Sequence, residues 1–305
     1  MSNLATHLKL FTVAVIWGFG WPAGRVVAND ILPFTASWIR YIIAVSCFLI
    51  FLKVTDRWQL PSRGQWKIVV LIGFFSTCVY QAFFMYGMKY TAAGDASLMI
   101  TFNPIFTALL AIPFLSEKMN IRLGSGLILG LIGVFVLFFY SPNIDIPFGD
   151  RLKGNFLIAG AALAWALSSI LMKKSMTESK EPLSPLLLTV WSSVTGLLIL
   201  TPWAAYEIVT VGFTNPSQDA WISIVFLAIF STVLSYVWFA DGIKTLGAGR
   251  SALYIYLVPP FGILSAWILI DEKIGWAFVV SFLLIVVGVA LAQSEKRDEQ
   301  DVSGH

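Results

Sequence analysis

Few side chains within the apolar runs of this sequence can do chemistry, and none of them forms a reacting set. Arg40 is the costliest. It lies well inside its run, and a charge at the bilayer centre costs ~2.5–3.5 kcal/mol on the insertion scale. It could anchor the carboxylate of an amino-acid substrate. It could instead be structural, capping freed carbonyls of a neighbouring helix or pairing with Asp95. Gln81 follows Thr77 by one turn, with Tyr80 beside it. Ser231, Ser235 and Trp238 fall at i, i+4 and i+7, and Tyr236 follows Thr232 by one turn. Polar stripes of this kind face a bundle interior or water rather than lipid. Many such hydroxyls only hold helices together, at about 0.6 kcal/mol each. Gln81 is the strongest single candidate for a substrate contact.

Asn103 and Thr107 share a face beside Pro104, and Pro259-Pro260 repeats the proline in the second half. A proline inside a helix removes one hydrogen bond and clashes with the carbonyl four residues back. Two bent helices lining a site, or two structural kinks, both fit. Trp17 and Trp165 sit near the middle of their runs, away from the interfaces where belt tryptophans gather. Their rings could stack on a substrate or simply pack. Ser168 lies one turn from Trp165, and Tyr254 adds ring surface near Pro259. The expected substrate-binding set is therefore Trp17, Gln81, Asn103, Trp165, Ser168, Ser235, Tyr236, Trp238 and Tyr254. Arg40, Pro104, Pro259, Glu117 and Glu272 are the expected structural or anchoring set. Each glutamate follows a run and suits the N-terminus of the helix after it.

No nucleophile–base pair, metal cluster or pair of carboxylates at shared depth occurs in the apolar runs, so an enzyme is excluded as the reading. Nor is there a ring of like charge or a filter loop that a channel would favour. His7 and His305 lie near the termini, and Cys47 and Cys78 sit inside apolar runs. No metal site and no cofactor is expected.

The elements that carry these residues are membrane helices. The chain is 58% hydrophobic and 12% charged, against ~25% charged for a soluble domain. Ten apolar runs approach the ~20 residues that span a bilayer. They are Leu8–Ala28, Phe34–Leu52, Ile68–Met88, Ala96–Leu115, Leu123–Tyr140, Asn155–Met172, Pro185–Ala204, Trp221–Ala240, Ser251–Ile270 and Trp276–Ala292. The longest connection, around 205–220, has room for a short interfacial helix.

Trp66–Leu137 and Trp221–Ala292 align without a gap at a constant offset of 155. Roughly 20 of about 70 positions are identical, a repeat signal to be read before any other. Five crossings per copy is an odd number, so the second copy enters from the opposite side and is inverted. Carriers built this way bind substrate near the midplane between halves. The expected fold is an all-α membrane protein of ten transmembrane helices in two five-helix inverted repeats, 1–140 and 155–293. A disordered cytoplasmic tail, 294–305, follows. With ten spans the termini share a side, which holds 14 Lys and Arg residues against 4 on the other. Both termini are then cytoplasmic, in the cell (plasma or inner) membrane. The expected partners are a small-molecule substrate and the lipid bilayer, with no nucleic acid, and a monomer suffices.

Trp17-Gly18, Arg40, Gly87, Gly94, Pro104 and Glu117, with Trp165, Gly242, Gly249, Pro259 and Glu272 in the second copy, resemble the EamA-type carriers of the drug/metabolite transporter superfamily. The second copy lacks the arginine and carries Trp191-Ser192-Ser193 instead. The resemblance implies a secondary transporter exporting amino acids or other small metabolites. It also implies a structural Arg40, since the family keeps that residue across differing substrates. Phosphorylated substrates are disfavoured, because no Lys/Arg cluster lies within the spans.

Overall fold

The computed structural model describes residues 3–115, 121–143, 145–178, 182–213, 215–246 and 253–302. Among these, the chain forms ten helical spans. α1 is Asn3–Asp30, α2 Pro33–Val54, α3 Trp66–Tyr90, α4 93–115 and α5 Ile121–Tyr140. α6 is Phe148–Glu178, α7 Pro185–Val211, α8 218–246, α9 253–270 and α10 Trp276–Val302. Seven are long and apolar enough to cross a membrane unaided, and α5, α9 and α10 carry shorter apolar stretches. Large apolar side chains such as Ile128, Leu131, Leu198 and Leu283 remain exposed, as lipid-facing residues do.

Several elements differ from the sequence expectation. Among the described residues no separate interfacial helix forms near 205–220, because α7 runs on to Val211 and α8 begins at Gln218. α10 continues through 294–302, where composition suggested an unstructured tail. Glu, Lys, Arg and Gln dominate that stretch and are good helix formers. Residues 303–305 lie outside the described residues.

Pro104 and Pro259 do not kink continuous α-helices. The chain tightens into a 3-10 turn at Ile100–Phe102, then resumes as α-helix at Asn103, so Pro104 lies in the first turn. Leu253–Leu257 and Val258–Ile270 repeat the device around Pro259. Proline is tolerated there because first-turn N–H groups have no intrahelical acceptor. The third and eighth spans share a second irregularity. α3 holds a π-helical segment at Phe74–Val79, and α8 one at Leu227–Leu234. Each contains the repeated Phe-Ser-Thr.

The principal helix pairs are α5–α10, α3–α6, α1–α8, α1–α9, α4–α6, α3–α7, α2–α7 and α2–α8. Exchanging the halves turns each of these pairs into itself or into another member of the set. Small residues permit the closest approaches. A Cβ on Gly288 would stand 2.6 Å from the Gly126 carbonyl of α5. A Cβ on Gly73 of α3 would collide with the Ser192 carbonyl of α7.

Candidate functional site

The two π segments aim polar groups at one buried arginine. A π turn leaves carbonyls off the regular i→i−4 ladder, and such turns gather at functional sites. In α8 the Thr232 hydroxyl donates to the Leu227 carbonyl five residues back, at 2.8 Å. Ser235 does the same to Phe230, at 2.8 Å. With its proton committed, Thr232 Oγ1 turns its lone pairs to Arg40. It accepts from Nε at 3.3 Å and from Nη2 at 2.9 Å. Just past the π segment of α3, Gln81 Oε1 accepts from Arg40 Nη1 at 3.2 Å. The Gln81 amide then donates to the Tyr41 hydroxyl at 3.2 Å.

Arg40 thus joins α2 and α3 of one half to α8 of the other. It is 6% exposed and Gln81 0%. Three of its five N–H donors go to neutral oxygens. Hydrogen bonds to a charged group contribute about 1.5–3 kcal/mol each, enough to hold the guanidinium out of water. Its charge is not cancelled: among the described residues no carboxylate lies within ion-pair distance of Arg40. The pairing with Asp95 considered from sequence does not occur. Asp95 instead lies 3.7 Å from Arg151 and accepts from Ser141 at 2.8 Å. The register explains this, since Asp95 opens α4 at the bundle end while Arg40 lies in the second turn of α2.

Tyr41, Tyr80 and Tyr236 lie close to the arginine, and the two tryptophans pack behind them. Tyr236 lies 6.3 Å from Trp17 and 6.0 Å from Trp165, centroid to centroid, so it sits between the matched tryptophans of the two halves. Tyr80 packs on Trp165 at 5.4 Å, and Phe48 stacks on Tyr236 at 6.5 Å. The Arg40 guanidinium is 5.9 Å from the centre of the Tyr41 ring. Trp17 is fixed by its indole N–H, which donates to the Ser231 carbonyl at 2.9 Å.

The structure brings Trp17, Gln81, Trp165, Tyr236 and Arg40 into one cluster. It places the other candidates elsewhere or spends their polar groups. Ser168 and Ser235 donate to carbonyls of their own helices. Asn103 accepts from Thr107 at 3.2 Å within α4. Trp238 is half-buried on α8 and is not among the rings around Arg40. Tyr254 pairs with His7 at 2.6 Å, at the exposed end that carries the N-terminus. Pro104 and Pro259 open the resumed helices of α4 and α9, and Glu117 lies outside the described residues.

Glu272 corrects its expected role. It does not cap α10, the helix that follows it. It accepts from the Ala93 and Gly94 N–H groups at 2.7 and 2.9 Å, capping α4 of the other half. The free N–H groups of a helix N-terminus are a ready anion site, and α4 presents them across the interface. Burial pushes the Glu272 carboxyl above the usual range, opposed by those two N–H groups and by Arg25.

Sequence reasoning missed Tyr41 and Glu207. Tyr41 adjoins Arg40 in sequence, which was the available signal. Glu207 lay beyond the expected end of α7 and read as loop. It is 8% exposed and accepts from the Thr35 N–H at 2.8 Å, capping α2 across the interface. Asp30 to Ser217, at 3.0 Å, joins the halves at the same end. The opposite end is tied by Lys9 to Asp241 at 3.3 Å and His7 to Tyr254, through more exposed side chains.

The family model described as "EamA-like transporter family" matches residues 4–139 and 152–293. The "Uncharacterized transporter YyaM" of Bacillus subtilis (strain 168) is 26% identical over 96% of this chain and 94% of its own. The "Probable amino-acid metabolite efflux pump" of Salmonella typhimurium (strain LT2) is 26% identical over 95% of this chain and 94% of its own. A solved structure described as "Crystal structure of protein" has a TM-score of 0.64 at 18% identity, covering 95% of this chain and 98% of that one. That is a likeness of fold.

Proposed function

Because the chain belongs to the EamA-like transporter family, we propose that it is a secondary carrier exporting a small organic metabolite, an amino acid or related zwitterion first, by alternating access. It is a multi-pass membrane transporter, of a family of transporters and not of enzymes. The observation that carries the finer reading is the cluster around Arg40, to which each half contributes a tryptophan and a hydrogen-bonding side chain. Rocking of one half against the other exposes such a cluster to alternate sides. The cross-half caps made by Glu207 and Glu272 support a closed face opposite the termini. The exposed His7 and Lys9 contacts support a more readily opened face at the termini. Similarity to a protein named for amino-acid metabolite efflux supports the substrate class, and the loop charges support cytoplasmic termini.

The test is transport in proteoliposomes, paired with growth of cells on toxic amino-acid analogues. Expression should raise resistance, and purified protein should catalyse counterflow of at least one labelled amino acid. Absence of flux across a broad amino-acid panel would overturn the substrate class.

A further inference from the structure

We infer that the Arg40 guanidinium is the docking point for a carboxylate on the transported solute, and that the Trp17–Tyr236–Trp165 rings receive the solute's apolar part. The inference rests on the carrier reading above and narrows it to carboxylate-bearing solutes. Three observations meet here. Arg40 is buried, and no described carboxylate neutralises it. Its bonded partners are neutral and come from both halves, with Thr232 accepting from Nε and Nη2 and Gln81 from Nη1. One further N–H donor remains on each terminal nitrogen, free to bond an oxygen of a carboxylate. A purely structural bridge between Gln81, Tyr41 and Thr232 needs hydrogen-bond donors and acceptors, which a neutral amide supplies without the cost of burying an ion. A retained positive charge with spare donors, at the junction of two moving halves, is what an anionic group entering from water would complete. The rings beside it offer apolar faces that favour an apolar or aromatic substituent on the solute.

The full-length protein is reconstituted, and uptake of a panel of labelled L-amino acids and benzoate is measured. Each active substrate is then challenged with its carboxamide, which keeps the shape and removes the anion. In the wild type the amide should compete roughly ten- to hundredfold less well than the acid, the loss expected for one charge-assisted contact. In Arg40→Gln the acid-to-amide ratio should fall toward one, and Arg40→Lys should recover part of it. This ratio is independent of the amount of folded protein. If neither Arg40 variant folds, the ratio is read in Gln81→Glu, whose carboxylate would sit against Arg40 Nη1: it should fall toward one, and an unchanged ratio would overturn the anchor. Amide and acid competing equally in the wild type, or an unchanged ratio in Arg40→Gln, would overturn the anchor while leaving amino-acid transport standing. Uptake of benzoate and no amino acid would keep the anchor and remove the amino-acid reading. No carboxylate uptake at all would remove both.

Discussion

At the scale of single residues, the decisive difference lies between Arg40 and Glu272. Arg40 was legible as a costly charge and Glu272 as a cap of the helix after it; both bridge the halves, yet one keeps a net charge and the other caps a helix dipole. Gln81 offers a sharp test of the first. Gln81→Leu removes one acceptor from a buried cation and should cost roughly 1.5–3 kcal/mol of stability, seen as a lower melting temperature in detergent. Gln81→Glu supplies the missing counter-ion. It should hold or raise stability while reducing carboxylate transport by tenfold or more. Retained transport in that variant would show that the Arg40 charge is not used. Glu272 carries a pH prediction. Its carboxyl is held above the usual range by burial in the closed arrangement, and it returns to an ordinary value once opened to water. The closed arrangement then binds the proton more tightly. Acidification through the interval between the two values favours closure, and raising the pH through the upper value removes that contribution. Ala92, fully buried beside Glu272, is the place to read it. Lowering the pH should slow labelling of a cysteine there more in the native background than in Glu272→Gln, each rate being corrected for the thiol titration measured in that background. An identical pH response in both backgrounds would exclude Glu272.

At the scale of elements, the repeat preserved irregularities more faithfully than it preserved side chains. Phe-Ser-Thr recurs, and with it the π segments. Pro104 and Pro259 recur, and with them the 3-10 turns. The prolines announced a break, but periodicity could not say whether the helix would bend or tighten. That choice depends on which neighbours receive the freed carbonyls. The π segments left no mark in the hydrophobic pattern, because inserting one residue into a turn rotates a face without changing its composition. Helix spacing was partly readable from glycines. A side chain on Gly73 meets the Ser192 carbonyl, which is backbone and cannot swing away. Gly73→Leu should therefore separate α3 from α7 and cost about 1–3 kcal/mol, measured by thermal unfolding. Gly64→Leu, where nothing lies within 4 Å, is the matched control.

At the scale of the whole molecule, two copies joined by an odd number of crossings impose inversion, and the observed helix pairs map onto themselves when the halves are exchanged. The orientation in the membrane follows from loop charge and can be checked directly. Gly64 and Gly149 lie in open space at opposite ends of the bundle. In a background with Cys47 and Cys78 replaced by serine, Gly149→Cys should react with an impermeant thiol reagent from outside intact cells. Gly64→Cys should react only after the membrane is opened. The reverse pattern would invert the orientation.

The sequence by itself determined the solvent, the number of spans, the duplication and the inversion, because each follows from apolar run length and from counting. It also named Trp17, Gln81, Trp165 and Tyr236, since polar or aromatic groups near mid-span must find one another. Tertiary structure alone decided which of these meet. It set Arg40 against Gln81 and Thr232 rather than Asp95, and sent Tyr254 to His7 at the bundle end. It also turned the Glu272 carboxylate across the interface onto α4. The physical reason is the same in each case. A buried charge is satisfied by whatever the helix crossings bring within about 3 Å, and in an inverted pair those crossings join residues far apart in the chain.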